Sequence, residues 1–345
     1  MSRVNIWLGF MPAYFTKHVG VTYGEAYYFD LAYRADVMRA ESRLLHEQLG
    51  DFGVAAAPRP IPHLFIQPID LMLHTQGAPW RFPDDATLES VGAPWATLSS
   101  AEIAAIDPRS SAEHPVMDRL LAQYREIARH YGDAADIFMV KSGMMNIHTP
   151  YTTAHQLYGE ELFVLLLTEP ETARAIFAKV WELYQAIYAR VLAVTGTAFD
   201  RIYLGDCSAS LLSEAVYRER VLPVNQRLAT LYPDSGYHSC GLSTHLLAAF
   251  SALPGLRHIQ LGAGTDMAAA ARLLPGVVLE PLIDPVLMRE GAPDDITRLI
   301  AGIIDDTATA PGVNLCAWSF DRDTPLENVR AMYAAVGEAG QKVGY

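Results

Sequence analysis

His238 and Cys240 stand two apart in the stretch Tyr237-His238-Ser239-Cys240-Gly241, and Cys316 follows 76 positions after Cys240. One imidazole and two thiols are the donor types a zinc ion takes when it keeps a fourth position open for chemistry. On a β-strand, side chains two apart project to the same face, so His238 and Cys240 can hold one ion together. Cys316 is the candidate third ligand, arriving from a later strand. The same residues also suit a plainer role, as two buried cysteines acting as small apolar groups beside a hydrogen-bonded histidine.

A ligand from a distant strand needs a fold that gathers strand ends, and the hydrophobic pattern supplies one. Strands are expected at Asp136–Lys141, Arg201–Gly205, Tyr237–Cys240, His258–Leu261, Val277–Leu282 and Gly312–Trp318. Helical spacing fills the intervals, at 116–131, 168–194, 213–231, 242–253, 266–274, 294–307 and 324–339. Ser213 stands in a capping position, and Thr324-Pro325-Leu326-Glu327 fits the capping box. Alternation of this kind builds a parallel sheet. Two weaker strand candidates, near Val4 and at His63–Gln67, bring the count to eight. The expectation is a single (β/α)8 TIM barrel over residues 1–345, with an N-terminal helical extension (24–49) and long loops such as 76–94. An open doubly wound sheet is the alternative. The rigid stretch Ala57-Pro58-Arg59-Pro60-Ile61-Pro62 reads as an extended connection.

In such barrels reactive groups sit where strands end. Those positions carry Lys141-Ser142, Asp206-Cys207, His238 with Cys240, Glu280 and Cys316, each following or interrupting an apolar run. Asp206 and Glu280 are candidate catalytic carboxylates; a loop cap and a salt-bridge partner are their structural alternatives. Gly262-Ala263-Gly264 with Asp266 makes a tight turn at the same rim but lacks the third glycine of a phosphate cradle. Met144-Met145 reads as packing, and His18, His46, His74, His114, His130, His245 and His258 carry no spacing signal.

Composition narrows the partners. Apolar residues make up 51% and charged residues 19%, and the net charge of −13 argues against nucleic acid and anionic membrane surfaces. No run of about 20 apolar residues spans a bilayer. The opening Met1-Ser2-Arg3-Val4-Asn5-Ile6-Trp7 lacks a signal-peptide pattern, and three cysteines make no disulfide framework. A cytoplasmic setting with reduced thiols is expected.

From about residue 136 onward the sequence resembles the uroporphyrinogen decarboxylase superfamily. The resemblance is carried by Thr149-Pro150-Tyr151-Thr152 with Ala154 and Gly159, by Asp206 with Leu212-Ser213-Glu214, and by Val221-Leu222-Pro223. It continues through Leu279-Glu280-Pro281-Leu282-Ile283-Asp284-Pro285, Gly291-Ala292-Pro293-Asp294-Asp295-Ile296 and Thr324-Pro325-Leu326-Glu327-Asn328-Val329-Arg330. The decarboxylases of that superfamily lack the His-x-Cys pair and bind porphyrinogen carboxylates with an arginine-rich N-terminal segment; here residues 9–20 offer only Lys17 and His18. The zinc-dependent methyltransferase branch, typified by methylcobamide:coenzyme M methyltransferases, carries His-x-Cys-Gly and a later cysteine before Thr-Pro-Leu-Glu-Asn. His238, Cys240, Gly241 and Cys316 match those positions, although Asn314-Leu315-Cys316-Ala317-Trp318 replaces the branch's small Pro-Gly-Cys-Gly surroundings.

The resemblance implies a zinc methyltransferase that activates a small thiol for S-alkylation from a methylated donor, a methylcorrinoid or its carrier protein among the candidates. It further implies that Asn146, His148, Tyr151 and Asp266 line the substrate pocket, with Asp266 or Glu280 able to accept the thiol proton. Two alternatives stand beside it: a lyase (decarboxylase or C–S lyase) on the same fold, and a non-catalytic binding partner of a corrinoid protein.

Overall fold

The computed structural model describes residues 4–54, 66–338 and 343–344. Eight parallel strands form its main sheet: β1 (Val4–Phe10), β2 (Met144–His148), β3 (Arg201–Gly205), β4 (Asp234–Ser239), β5 (Leu256–Leu261), β6 (Val278–Pro281), β7 (Val313–Phe320) and the two-residue β8 (Val343–Gly344). Their order is β8-β1-β7-β6-β5-β4-β3-β2, so from β2 to β7 each strand lies beside its successor with helical segments between. The sheet is curled, as in TIM-barrel-type folds.

Local chemistry explains most boundaries. The helix Pro170–Thr195 starts on a proline, buries Ile176, Val180, Leu183, Ile187 and Val191, and stops at Gly196 in the left-handed region. Ser213 caps the next helical segment by accepting from the Val216 amide. Asp30 divides the helix expected over 24–49. Its carboxylate accepts from the Ala32 and Tyr33 amides, ending Glu25–Phe29 and opening Leu31–Leu49.

The structure corrects one strand. Residues Asp136–Lys141 are not extended: Asp136 accepts from the amides of Ile137 (2.7 Å) and Lys141 (2.9 Å), and Phe138 and Met139 take positive φ. A side chain that bonds its own backbone competes with the sheet. The chain enters the sheet only after Gly143, so the strand is Met144–His148, which joins the Met144-Met145 pair read as packing to the pocket candidates Asn146 and His148. The loop 76–94 contains a small hairpin pairing Trp80–Arg81 with Glu89–Ser90. The extended connection at 57–62 and the strand expected at His63–Gln67 lie, as far as Phe65, outside the described residues; Ile66 and Gln67 lead directly into the helix Pro68–Thr75.

Alternation divides the sheet into two unlike faces. The outer face is apolar and buried under helices: Val4, Ile147, Ile202, Leu204, Ile259, Leu261, Leu279, Val313 and Leu315. The inner face carries Asn5, Trp7, Asn146, His148, Tyr203, His238, His258, Gln260, Glu280, Asn314 and Cys316. A barrel interior is ordinarily filled by branched apolar side chains. In this curled sheet the inner face is instead given over to groups that can bind.

Candidate metal centre

The curl brings the ends of β3 and β4 together. Gly205 pairs with His238, and the chain leaving each strand delivers Cys207 and Cys240 to the same point. Donor atoms of Cys207, His238 and Cys240 all lie within 4.8 Å of one another. The two sulfurs are 3.1 Å apart, and the His238 Nε2 is 2.7 Å from the Cys240 sulfur. On its other side the His238 Nδ1–H donates to Gln260 Oε1 at 2.5 Å, and Gln260 Nε2 donates to the Cys316 sulfur at 3.2 Å. Cys316 is fully buried on β7 and joins the trio through Gln260 instead of touching it.

Electrostatics within the trio are uneven. The hydrogen bond between the two sulfurs, aided by the neighbouring His238, pulls the Cys240 thiol down to about 5 against the opposing effect of burial. The same bond, with burial and the charges of Cys240 and Asp206, pushes Cys207 up. Burial works to lower His238, but its contact with Cys240 and the bond to Gln260 outweigh it and raise the imidazole. Burial, then the charge of Glu280, raises Cys316. The donor set is two soft sulfurs and an imidazole whose second nitrogen is already oriented, which fits zinc in chemistry and in span.

Two glycines make room for this arrangement. A Cβ on Gly236 would lie 2.4 Å from the His258 ring and 2.6 Å from Tyr203; its absence lets those two rings stack. A Cβ on Gly262 would lie 2.2 Å from the Cys240 carbonyl, so the Gly262-x-Gly264 turn serves close approach to the ligand loop.

The other expected site residues separate into two groups. His148 and Asn146 face inward on β2, and burial, then the nearby His238, lowers His148 to about 4. Glu280 also faces inward; it is 2% exposed, accepts from Asn314 Nδ2 at 2.9 Å and lies 3.4 Å from His258 Nδ1. Asp206 and Tyr151, in contrast, are anchors. The Asp206 carboxylate accepts from Thr149, Thr152, Asn225 and Tyr237 at 2.6–2.9 Å. Burial raises this carboxyl, and the four donors pull it back. Tyr151 is buried and donates to the Ser208 carbonyl. Asp266 caps the helix Met267–Leu273 by accepting from the Ala269 amide, and lines a cleft of about 600 Å³ that also borders Gly262 and Arg298.

Sequence reasoning named Cys207 as a strand-end residue but not as a ligand. The available signal was its place, two residues past β3, matching Cys240 two residues past His238. Gln260, Tyr203 and His258 were missed as well. His258 lies on β5 facing Glu280, and alternation from Gln260 would have put both on one face.

Comparison with known proteins adds kinship. The uroporphyrinogen decarboxylase (URO-D) family profile matches residues 78–339. A uroporphyrinogen decarboxylase of Mycobacterium marinum is 28% identical over 236 residues, 64% of this chain and 61% of its own. A methylated-thiol–coenzyme M methyltransferase of Methanosarcina mazei is 30% identical over 207 residues, 55% of this chain and 51% of its own. The chain thus spans about half to three fifths of the length of these curated relatives. Among solved structures, a methyltransferase from Methanosarcina mazei superposes with a TM-score of 0.66 at 16% identity, covering 98% of this chain and 92% of its own. No helix among the described residues is long and apolar enough to cross a membrane.

Proposed function

The chain belongs to the uroporphyrinogen decarboxylase (URO-D) family, and from that membership we propose that it is a zinc-dependent transferase moving a methyl group onto the sulfur of a small thiol. The observation that carries the reading is the convergence of Cys207, His238 and Cys240 within 4.8 Å at the strand ends. A relative acting on methylated thiols supports sulfur chemistry, with a methylated thiol as donor ahead of a methylcorrinoid. We also take the curled sheet as the wall of a closed (β/α)8 barrel and residues 1–345 as one domain; the fold likeness over 98% of the chain supports this.

Zinc would be held by His238 and Cys240 with Cys207 or Cys316 as the next thiolate, and when bound it supplies a Lewis-acidic position that makes an incoming thiol available as thiolate. The chain's own residues do the remaining work. Gln260 fixes the His238 ring by holding its Nδ1–H. Cys207, beside Cys240, lowers the Cys240 thiol and so favours Cys240 as a thiolate donor. His148, kept neutral by burial, and Asn146 line the inner wall where the methyl donor is oriented for in-line attack. Asp206 secures the Pro150–Tyr158 helix to β4 and so keeps the strand ends in register.

The test is metal analysis together with transfer of labelled methyl from a methylated thiol to a second thiol. About one zinc per chain and thiol-dependent transfer support the reading; no metal, or full metal in Cys240→Ser, sinks it. The decarboxylase relative matches more of the chain than the methyltransferase does, which keeps a lyase as the second reading. A lyase would release product from one substrate with no thiol present.

A further inference from the structure

We infer that the substrate carries a positively charged, amine- or onium-type group and no acid group, with its sulfur end at Cys207–His238–Cys240 and its cationic end against Glu280. This rests on the alkyl-transfer reading above and names the substrate class it serves.

The register sets the distance. His238 pairs with Gln260, and Gln260 pairs with Glu280, so the trio and the carboxylate lie on one row, two strands apart. At about 4.8 Å per strand that is about 10 Å between backbones, and side chains on the concave face converge within it. A molecule of several heavy atoms reaches from one to the other. Glu280 is held toward the interior by Asn314, with the His258 Nδ1 3.4 Å from its carboxylate.

Aromatic surface continues this face beyond Glu280, on β1 and β7. Trp7 pairs with Cys316 on the inner face yet is 42% exposed, and Trp318, lying 3.0 Å from where a Gly9 Cβ would be, is 38% exposed. Exposed indole faces on a concave wall favour a cation, which gains from the ring quadrupole as well as from the carboxylate. An acid gains nothing comparable. Among the described residues, the inner face above the first residue of each strand carries no Lys or Arg; Arg201, at the opposite end of β3, is bonded to Asp200 and the Ser142 carbonyl. The cations beyond the ends of β1 and β7 are engaged by carboxylates: Lys17 by Asp323 and Arg322 by Asp85.

Isothermal titration of the zinc-containing protein with three two-carbon thiols tests this: cysteamine, 2-mercaptoethanol and 2-mercaptoethanesulfonate. Cysteamine should bind roughly tenfold tighter than the neutral thiol, and the sulfonate weaker than both. Glu280→Gln should bring the cysteamine-to-mercaptoethanol ratio to within about twofold, a ratio that a general loss of packing would not change. Trp318→Arg should reverse the order in favour of the sulfonate. A sulfonate that binds parent protein as well as cysteamine, or a ratio unchanged in Glu280→Gln, overturns the inference and leaves thiol alkylation standing. Failure of all three thiols to bind overturns both.

Discussion

The outer and inner faces of the sheet are made from alternate residues of the same strands, β1 to β7, and they obey different rules. Outward, the alternate residues are mostly Val, Ile and Leu sealed under helices, with Ser235, Tyr237 and Ser239 on β4 the exception; Ile202, Ile259, Leu279 and Val313 are wholly buried. Inward, the alternate positions hold His148, Tyr203, His238, His258, Gln260 and Glu280, which bond one another or face the interior. Apolar burial on one side supplies stability that the other side does not, which allows the inner face to carry polar groups at strand positions where a typical barrel carries Val, Ile or Leu. The division predicts that inner substitutions cost binding and outer ones cost stability.

The largest effect is expected at Cys240. Cys240→Ser should remove nearly all bound zinc, read by metal analysis, while the thermal midpoint in the presence of chelator stays close to that of parent. Comparing Cys207→Ser with Cys316→Ser then ranks the third ligand. Greater zinc loss in Cys207→Ser is expected from the geometry, and the reverse result would give that position to Cys316. On the outer face, Leu204→Ala should cost about 3 kcal/mol in denaturant unfolding and leave zinc stoichiometry at one per chain. If it instead emptied the metal site, the two faces would not be independent.

Gly236→Ala tests the boundary between the faces. The added Cβ meets the His258 and Tyr203 rings, so a loss of about 1–3 kcal/mol is expected, with thiol affinity falling alongside it. The smallest effect lies away from both faces. Burial, softened by a bond from Ser90, raises Asp70 to about 6. Its carboxyl favours the folded state while protonated, below its ordinary value, and that advantage is lost as pH rises through 6. Asp70→Asn should therefore gain stability relative to parent by about 1–2 kcal/mol between pH 4 and pH 8. A difference that stayed flat across that range would count against the burial of this carboxyl.

Much of the architecture was legible in the sequence. Arg201–Gly205 appeared at its true bounds because apolar alternation and flanking helical periods leave few other choices, and the other strands from β4 to β7 fell within a few residues. Asp136–Lys141 misled because its apolar run looks like a strand, while the bonds from Asp136 to its own backbone are invisible to periodicity. His238 and Cys240 were readable as a pair because strand alternation alone puts them on one face. Their partner was not readable. Sequence favours Cys316, whereas the curl of the sheet sets Cys207 beside Cys240 and interposes Gln260 before Cys316. Asp206 and Glu280 are alike as strand-end carboxylates in one dimension; only packing separates the one wrapped by four donors from the one facing the interior. Periodicity records which side of a strand a residue takes. How far apart the strand ends finish depends on the curvature of the whole sheet, which no local stretch of sequence contains.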